Sequence, residues 1–235
     1  MSDVPDALRN PALVRVLESA ARLQALVPDA VLVGDSAAAL YAGHRDSYDH
    51  DHVLADLAER FDAVLEAVET QDGWVTNRVT PGKIILGELG GIETGIRQLI
   101  RRTPLEVARV TLPSGHVLVA PTPAETLRVK AFLVVRRNQT RDYLDVAALS
   151  VRCGTARAAA ALADIDSFYA DQHGTGDGVA SQLVRQLADP RPKDRSTTRN
   201  LGRYKNLARP WRDWPAVVAA CRELAAAMLT AQRPS

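Results

Sequence analysis

VLVGDSAAALYAGHRDSYDHDHVL, residues 31–54, is the stretch of the 235-residue chain that decides its fold. The apolar run at 31–33 predicts a buried strand, and the alanine-rich residues 37–41 predict a short helix. Between them Gly34-Asp35-Ser36 predicts a turn, and a loop at 43–45 leads into a second strand. This order of strand, turn, helix and strand is typical of a mixed α/β core.

Two aspartates on the second predicted strand, Asp49 and Asp51, are the first candidate catalytic residues. Because side chains alternate along a strand, both carboxylates point to the same face. Like charges held side by side repel each other, a cost that proteins accept where a cation lies between them. We therefore predict that Asp49 and Asp51 bind Mg²⁺, or alternatively Mn²⁺. The alternative interpretation is a D-x-D pattern that arose by chance.

The predicted turn supplies a second candidate site. Gly34, Asp35 and Ser36 open a helix, where free backbone N–H groups and a small side chain can bind phosphate. Such a turn is common on its own, so the prediction rests on its combination with the carboxylate pair. A phosphate cradle beside a carboxylate pair indicates metal-dependent nucleotidyl transfer.

The same stretch resembles the first motif of the nucleotidyltransferase-like AbiEii toxin family, which includes the MenT-type toxins of toxin–antitoxin systems. The resemblance is carried by Gly34-Asp35-Ser36, by His44-Arg45 and by Ser47-x-Asp49-x-Asp51. It implies that the turn residues line the phosphates of a nucleoside triphosphate and that Arg45 neutralises the leaving pyrophosphate. It also implies that Ser47 binds phosphate or accepts it.

A second stretch resembles the later motifs of the same family. Lys130 is followed by Arg137 and then by Arg141-Asp142-x-x-Asp145. The resemblance implies that Lys130 touches the triphosphate and that Asp142 is a further catalytic acid, acting as a metal ligand or base. Asp145 and Arg141 fit a structural ion pair as easily as a functional one. The alternative for the whole stretch is a solvated helix–loop–helix with ordinary i, i+4 pairing.

The resemblance also implies a function, that of a toxin in a toxin–antitoxin system. It would be a nucleotidyltransferase of the EC 2.7.7 type that moves a nucleoside monophosphate from a nucleoside triphosphate to RNA. The tRNA 3′ end is the acceptor that the family suggests, so aminoacylation and translation would be blocked. A cognate antitoxin protein is the implied partner.

Composition places the chain among ordinary globular proteins, with 46% apolar and 24% charged residues. Neither a membrane span nor a secretory signal is recognisable, so we expect a cytoplasmic protein without a membrane partner. The two cysteines, Cys153 and Cys221, are far apart in sequence and predict reduced thiols. Their number excludes a zinc site built from cysteines alone.

Positive charge is concentrated in residues 191–212, which contain eight Lys or Arg and one acid, Asp194. With a net charge of +1 for the whole chain and +7 for this segment, the remainder carries −6. Such asymmetry favours an anionic partner, although a surface loop paired with acids elsewhere is the alternative. Tyr204 and Trp211 could stack on bases, but core packing is favoured for Trp211 and Trp214. The predicted RNA-binding residues are Arg191, Lys193, Arg195, Arg199, Arg203 and Lys205.

The remaining pattern predicts an α/β fold with a nucleotidyltransferase-like domain over 1–120 and a mainly helical domain over 121–235. The mixed sheet would have five or six strands flanked by helices. Thr122, Pro123 and Glu125 predict a capping box at the start of a helix that reaches Arg137. The other predicted helices are 5–26, 55–70, 141–149, 156–171, 178–188 and 215–231, with a loop at 174–178, and the other predicted strands are 74–79, 83–89, 92–101, 107–112 and 116–120.

Two departures from the family motif keep other interpretations open. The third carboxylate is expected at the centre of the strand over 92–101, where Gln98 stands, while Glu93 lies nearer the turn. His50 and His52 alternate with the aspartates and should face the other side of the strand. If a bulge turned His50 inward, Asp-His-Asp-His would form a transition-metal cluster typical of a hydrolase. The non-enzyme alternative is a catalytically degenerate module that binds RNA or protein, and transfer to a protein instead of RNA is a further alternative.

Overall fold

The computed structural model describes residues 6–172 and 177–231, and the chain forms two compact units. The first unit takes the residues up to Leu40 together with Asp46–Thr122. The second takes Tyr41–Arg45 together with the residues from Pro123 onward. The short segment Tyr41–Arg45 therefore belongs with the C-terminal helices, although the chain on either side of it belongs to the first unit.

The first unit combines helices with two β-sheets, and the predicted α/β class with a mixed sheet is confirmed. A 3₁₀ turn at Asp6–Arg9 precedes the first helix, whose N–H groups are capped by the Asn10 side chain. The predicted helix over 5–26 is therefore shorter than expected. The elements are α1 (Pro11–Leu26), β1 (Val31–Val33), α2 (Gly34–Ala42), β2 (Asp49–Leu54), α3 (Phe61–Glu69), β3 (Trp74–Thr80), β4 (Ile84–Leu89), β5 (Ile92–Gln98), β6 (Val107–Thr111) and β7 (Val117–Pro121), and α2 ends in residues of the second unit.

Five strands form a mixed sheet in the order β1-β2-β5-β4-β3. The central pair β2 and β5 is parallel, and the other neighbours are antiparallel. The hairpin of β6 and β7 forms a separate two-stranded sheet. The mixed sheet has five strands, within the predicted five or six, but the predicted hairpin of β6 and β7 is not part of it. Local alternation predicts each strand but not which strands pair.

One face of the five-stranded sheet is packed against α1 and α3. Leu23 of α1 and Val64 of α3 share an apolar core with Leu54 of β2 and Ile96 of β5. Each fully buried side chain of this size contributes roughly 1.5–3 kcal/mol relative to an exposed one. Strand side chains alternate, so residues 49 and 51 of β2 lie on the opposite face from Leu54.

Two local predictions are wrong because residues distant in sequence bind the backbone groups of these segments. The helix predicted from residue 55 begins only at Phe61, since Gln98 binds the Ala58 N–H and the Ala55 carbonyl and holds that segment in a turn. This use of Gln98 also ends β5 before residue 101. The capping box is likewise absent from this pair of residues, because the Thr122 N–H donates to the Glu106 carbonyl.

The second unit is helical, as predicted for the C-terminal region. Glu125 in its first helix is buried and binds Arg128 at 2.8 Å instead of closing a capping box. The predicted helix over 156–171 is broken after Leu162, and the loop predicted at 174–178 lies largely outside the described residues. The helices are α4 (Pro123–Arg137), α5 (Thr140–Cys153), α6 (Thr155–Leu162), α7 (Ile165–Phe168), α8 (Val179–Ala188), α9 (Arg195–Arg199) and α10 (Trp214–Ala231), with 3₁₀ turns at Ala170–Gln172 and Leu201–Arg203.

Among the described helices α10 alone is long and apolar enough to be considered as a membrane span, with a mean hydropathy of 1.2. Core helices of globular proteins meet the same criterion. The buried residues Val217, Cys221 and Leu224 lie on α10, which packs against α5, α6 and α8 of its own unit.

Candidate active site

The two predicted metal ligands lie side by side on β2, on the sheet face that α1 and α3 do not cover. The parallel register places Asp49 opposite Glu93 and Asp51 opposite Gly95 of β5. Residues opposite each other on paired strands point to the same side of the sheet, so Arg97 also lies on this side. We call this surface, formed by Asp49, Asp51, Glu93, Gly95 and Arg97, the carboxylate face.

Two glycines make room for the carboxylate of Asp51. Gly34, the first residue of α2, has a φ of +76°, and a Cβ at this position would lie 3.4 Å from Asp51 Oδ2. A Cβ on Gly95 would collide with Asp51 Oδ1. Positive φ favours glycine at residue 34, and glycine at residue 95 leaves room for the Asp51 carboxylate in its present position. The carboxylate of Asp51 therefore sits between the start of a helix and the bare backbone of β5.

The third acid is not where the sequence suggested. Gln98 pairs in register with Leu54, on the core side of the sheet, and its amide is used by the turn before α3. The residue beside Asp51 is Gly95, and Glu93 is the exposed carboxylate directly across from Asp49. The sequence left open whether Gln98 or Glu93 replaces a third carboxylate, and of the two only Glu93 lies on the carboxylate face. The strand register, which the sequence does not contain, is the signal that finds Glu93.

Ser36 and Ser47 are buried and bind each other, with 2.9 Å between their hydroxyl oxygens. Ser36 also donates to the Asp49 carbonyl, and Ser47 lies 3.4 Å from Asp49 Oδ1. In this arrangement the two hydroxyls fix the start of β2 against α2. Asp35, in the first turn of α2, is partly exposed. The phosphate-binding roles of these three residues stay predictions.

His50 and His52 point into the core side of the sheet, as their alternation with the aspartates predicts. His50 Nε2 lies 3.1 Å from the Ser19 hydroxyl and 3.2 Å from that of Thr94, and the two imidazole rings meet edge to face. Burial lowers the pKa of His50 to about 4 and that of His52 well below its ordinary value. The pairing of β2 with β5 is regular, so the Asp-His-Asp-His metal cluster is wrong.

The carboxylate face fits Mg²⁺ or Mn²⁺ as part of a site completed by substrate. Among residues 6–172 and 177–231, no three His, Cys, Asp or Glu side chains form a ready-made metal cage. Mg²⁺ is commonly held by one or two carboxylates together with substrate phosphates. Asp49 and Asp51 supply oxygen donors of this kind, and the absence of a side chain on Gly95 leaves room for the Asp51 carboxylate.

Arg97 is the cation nearest to Asp51 on this face. Its Nε lies 3.3 Å from Asp51 Oδ1, and the two side chains are 45% and 32% exposed. The sequence interpretation missed both Arg97 and Gly95. Arg97 is the next-to-last residue of β5, and its partner becomes visible only once β5 is paired with β2.

In the second unit, the predicted phosphate ligands Arg45 and Lys130 share one buried carboxylate, Asp145. The Arg45 guanidinium donates to both oxygens of Asp145 at 2.9 Å, and Lys130 Nζ lies 2.6 Å from Oδ2. His44 Nε2 lies 2.8 Å from Oδ1. All four side chains are at most 1% exposed. We call these four residues the Asp145 cluster.

Within the Asp145 cluster one carboxylate contacts two permanent cations, and the carboxylate of Asp142 also interacts electrostatically with Lys130. Burial lowers the pKa of His44, although its hydrogen bond to Asp145 opposes the shift. A neutral His44 donates from Nε2 and adds no third positive charge. The sequence suggested an ion pair between Asp145 and Arg141. Arg141 instead donates a hydrogen bond to the Gln139 side chain.

Asp142, the predicted further acid, is fully buried and held by Arg137. Arg137 donates to both carboxylate oxygens, at 2.6 and 3.2 Å. Burial raises the pKa of Asp142, and the neighbouring Arg137 opposes that rise. The geometry is that of an ion pair between a buried carboxylate and a partly exposed arginine, and the catalytic role of Asp142 stays a prediction.

The basic segment is anchored to α5 by its single acid. Asp194 Oδ1 accepts hydrogen bonds from the N–H and the hydroxyl of Thr140, both at 2.8 Å. Trp211 is 8% exposed, which confirms it as a core residue, and the Tyr204 ring lies 6.0 Å from the Arg45 guanidinium. Of the six predicted RNA-binding residues, Lys205 is partly buried and the others are exposed, namely Arg191, Lys193, Arg195, Arg199 and Arg203.

No protein-family model matches the chain. It is 36% identical over 251 residues to "Probable transport protein MmpL11" of Mycobacterium bovis and, equally, to "Heme uptake protein MmpL11" of Mycobacterium tuberculosis. These alignments cover 98% of the chain but 24% of each relative, so the chain spans about a quarter of their length.

Solved structures are similar only at low identity. An antigenic nucleotidyltransferase-like protein from Paracoccidioides brasiliensis is 16% identical, covers 73% of the chain and 92% of its own length, and has a TM-score of 0.45. A candidate nucleotidyltransferase from H. pylori is 14% identical, covers 99% of the chain and 96% of its own length, and has a TM-score of 0.43. The resemblance to the AbiEii toxins is not confirmed by these proteins and stays a prediction.

Proposed function

We propose that the chain is a metal-dependent nucleotidyltransferase that moves a nucleoside monophosphate from a nucleoside triphosphate to RNA. The observation that carries this proposal is the position of the Asp51 carboxylate. Its carboxylate lies between Gly34, at the start of α2, and the bare backbone of Gly95, with Asp49 on the same face. The carboxylate pair provides metal ligands, and the start of the helix beside it provides backbone N–H donors for phosphate.

The chain's own residues would bind and orient the reactants. Asp49 and Asp51 would hold the divalent cation, and the first N–H groups of α2 would bind phosphate oxygens. When bound, Mg²⁺ or Mn²⁺ supplies charge neutralisation for the triphosphate and makes the acceptor hydroxyl more acidic. The acceptor oxygen then bonds to the α-phosphorus, and the bond to pyrophosphate breaks. Glu93, across from Asp49, would accept the hydroxyl proton.

The proposal assigns Arg45 and Lys130 to the charge of the triphosphate and Asp142 to a further acid, as the family resemblance implies. Each of these side chains is buried and is now in an ion pair. Their proposed roles therefore require that these pairs exchange partners when substrate binds.

For the acceptor we propose tRNA, and for the biological role a cytoplasmic toxin whose action an antitoxin prevents. The exposed arginines and Lys193 of the basic segment support a polyanionic acceptor, because phosphate binding needs accessible cations with few competing acids. The motif resemblance alone supports the toxin role and the tRNA 3′ end.

The experiment that tests the proposal uses purified protein, Mg²⁺, total tRNA and each radiolabelled nucleoside triphosphate in turn. We expect label to move into tRNA with the wild type and to be lost by at least about 100-fold in Asp51→Asn. Asp72→Asn, an exposed aspartate in the same unit, is the matched control and should keep full activity. Absence of transfer by folded wild-type protein, with every nucleotide and with both tRNA and protein acceptors, would reject the proposal.

A second candidate function is a module with this fold that binds RNA or protein without catalysis. Nearly the whole chain is similar to a stretch that makes up about a quarter of the length of the MmpL11 proteins. This similarity favours a binding module, because modules within larger proteins often serve binding. The lack of an acid beside Asp51 points the same way. Such a module would bind its partner equally well after Asp51→Asn and would show no nucleotide transfer.

A further inference from the structure

Arg97 is a charged residue of the carboxylate face to which the proposed mechanism gives no role. β5 carries it two residues beyond Gly95, so its side chain lies diagonally across from Asp51. Because Gly95 has no side chain, nothing from β5 stands between the guanidinium and the Asp51 carboxylate. The 3.3 Å contact between Arg97 Nε and Asp51 Oδ1 uses one of the oxygens that a cation would need.

We propose that Arg97 is an exchangeable counter-ion of Asp51. In the cation-free protein it neutralises the carboxylate, a divalent cation displaces it, and the released guanidinium then binds a phosphate oxygen of the nucleoside triphosphate. This inference rests on the proposed function. It makes Arg97 a positioning residue for Asp51 and a binding residue for the nucleotide.

The exposure of the pair makes this exchange energetically accessible. Both side chains are in contact with water, at 45% and 32% exposure, and ion pairs between such groups contribute little to stability. A divalent cation on Asp51 repels the guanidinium and competes with it for the carboxylate oxygens. Arginine can form paired hydrogen bonds with phosphate oxygens, which gives the displaced side chain a new partner on the same face.

Asp49 and Glu93 lie on the same face as Arg97. The ion pair that Arg97 makes is with Asp51. The neighbouring strand β4 presents the apolar Leu86 opposite Gly95. Asp51 is therefore the anion whose affinity for a cation depends most directly on Arg97.

The test measures two bound species separately in the full-length protein. Binding of Mn²⁺ alone is followed by electron paramagnetic resonance, and binding of radiolabelled ATP, GTP, CTP and UTP by equilibrium dialysis with Mn²⁺ saturating. In Arg97→Gln we expect Mn²⁺ to bind about 2- to 5-fold more tightly, because a competing ion pair of the exposed kind is removed. The best-bound nucleotide should bind at least about 10-fold more weakly, because a charge-assisted hydrogen bond is lost.

Two further variants separate charge from shape and location. Arg97→Lys keeps the charge, so its Mn²⁺ affinity should stay at the wild-type value and its nucleotide affinity should recover in part. Arg78→Gln is the matched control, since Arg78 is exposed on the edge strand β3 and lies in register with Leu86 on the same face. Three strand spacings, about 14 Å, separate it from Asp51, beyond the screening length at physiological salt. Both affinities should be unchanged.

Opposite changes in Mn²⁺ and nucleotide affinity would support the exchange, because a structural role would weaken both. Equal Mn²⁺ affinity in the wild type and in Arg97→Gln would overturn this inference and leave the proposed function intact. Mn²⁺ binding that Asp51→Asn does not weaken would instead overturn the proposed metal site, and the inference with it.

Discussion

Asp145 offers the sharpest test of the physical reasoning, because one buried carboxylate holds two permanent cations and an imidazole. The perturbation is Asp145→Asn, which keeps the shape of the side chain and removes its charge. Arg45 and Lys130 would then be two buried cations without their common counter-ion. One amide oxygen can accept from only part of the donor set, and the amide N–H₂ group would face other donors.

The expected cost follows from this geometry. Removing one partner of a buried ion pair typically costs about 3–5 kcal/mol, since the remaining charge is left uncompensated. The contacts of 2.6–2.9 Å and the near-complete burial place Asp145 at the upper part of that range. Adding Lys130→Gln removes one of the stranded cations. We therefore expect Lys130→Gln to destabilise the wild type but to be neutral or stabilising in Asp145→Asn, a coupling of about 2–3 kcal/mol.

The assay is urea unfolding followed by tryptophan fluorescence. Replacing Trp74 with Phe leaves Trp211 and Trp214, so the signal reports the second unit alone. Asp177→Asn and Arg185→Gln form the matched control pair in the same unit, with side chains 64% and 60% exposed. That pair should be additive to within about 0.5 kcal/mol. A cost below about 1 kcal/mol for Asp145→Asn, or additivity with Lys130→Gln, would refute the reasoning.

Three further predictions concern other parts of the chain. In Gly95→Ala the new Cβ would turn the Asp51 carboxylate away, so Mn²⁺ affinity should fall about 10- to 100-fold with an unchanged circular dichroism spectrum. Unaltered affinity would contradict the inference that Gly95 makes room for the metal-binding position of Asp51. Burial raises the pKa of Cys221 to about 12, so mass spectrometry after brief N-ethylmaleimide treatment should find label on half-buried Cys153 and on Cys221 only in urea. Burial lowers the pKa of His50 to about 4. The contribution of neutral His50 to the free energy of unfolding is therefore complete above pH 6.5 and is lost as the pH falls towards 4. Wild-type stability, from urea unfolding, should therefore drop by about 2 kcal/mol more between pH 8 and pH 5 than that of His50→Asn, and equal slopes would count against this.

Strands and helices with a clear period were predictable from local sequence. β1 was predicted at 31–33, and the alternation of Asp49 and Asp51 with the two histidines correctly assigned the faces of β2. The mistakes occur where a distant side chain decides the local structure. Gln98 holds the residues before α3 in a turn, and no window around residue 55 contains that information.

For the candidate site the sequence indicated residue types but not neighbours. The pair of aspartates was found because both lie on one strand, whereas Gly95 and Arg97 depend on a strand that follows some 40 residues later. The Asp145 cluster was missed for a similar reason, since Arg45 and Asp145 are 100 residues apart. Separation along the chain, not weakness of the contact, limited the prediction.

The assignment of Tyr41–Arg45 to the second unit has a consequence for how the protein can be divided. A polypeptide ending at Thr122 would carry Arg45 away from Asp145, and one beginning at Pro123 would contain Asp145 and Lys130 without the guanidinium. The backbone is affected as well, because the His44 carbonyl accepts from the Ala208 N–H at 2.9 Å. A polypeptide beginning at Pro123 therefore lacks part of the second unit, and fragment complementation would have to restore these five residues along with the helices. Any genetic fusion or split reporter should keep residues 41–45 and the C-terminal helices on one continuous polypeptide.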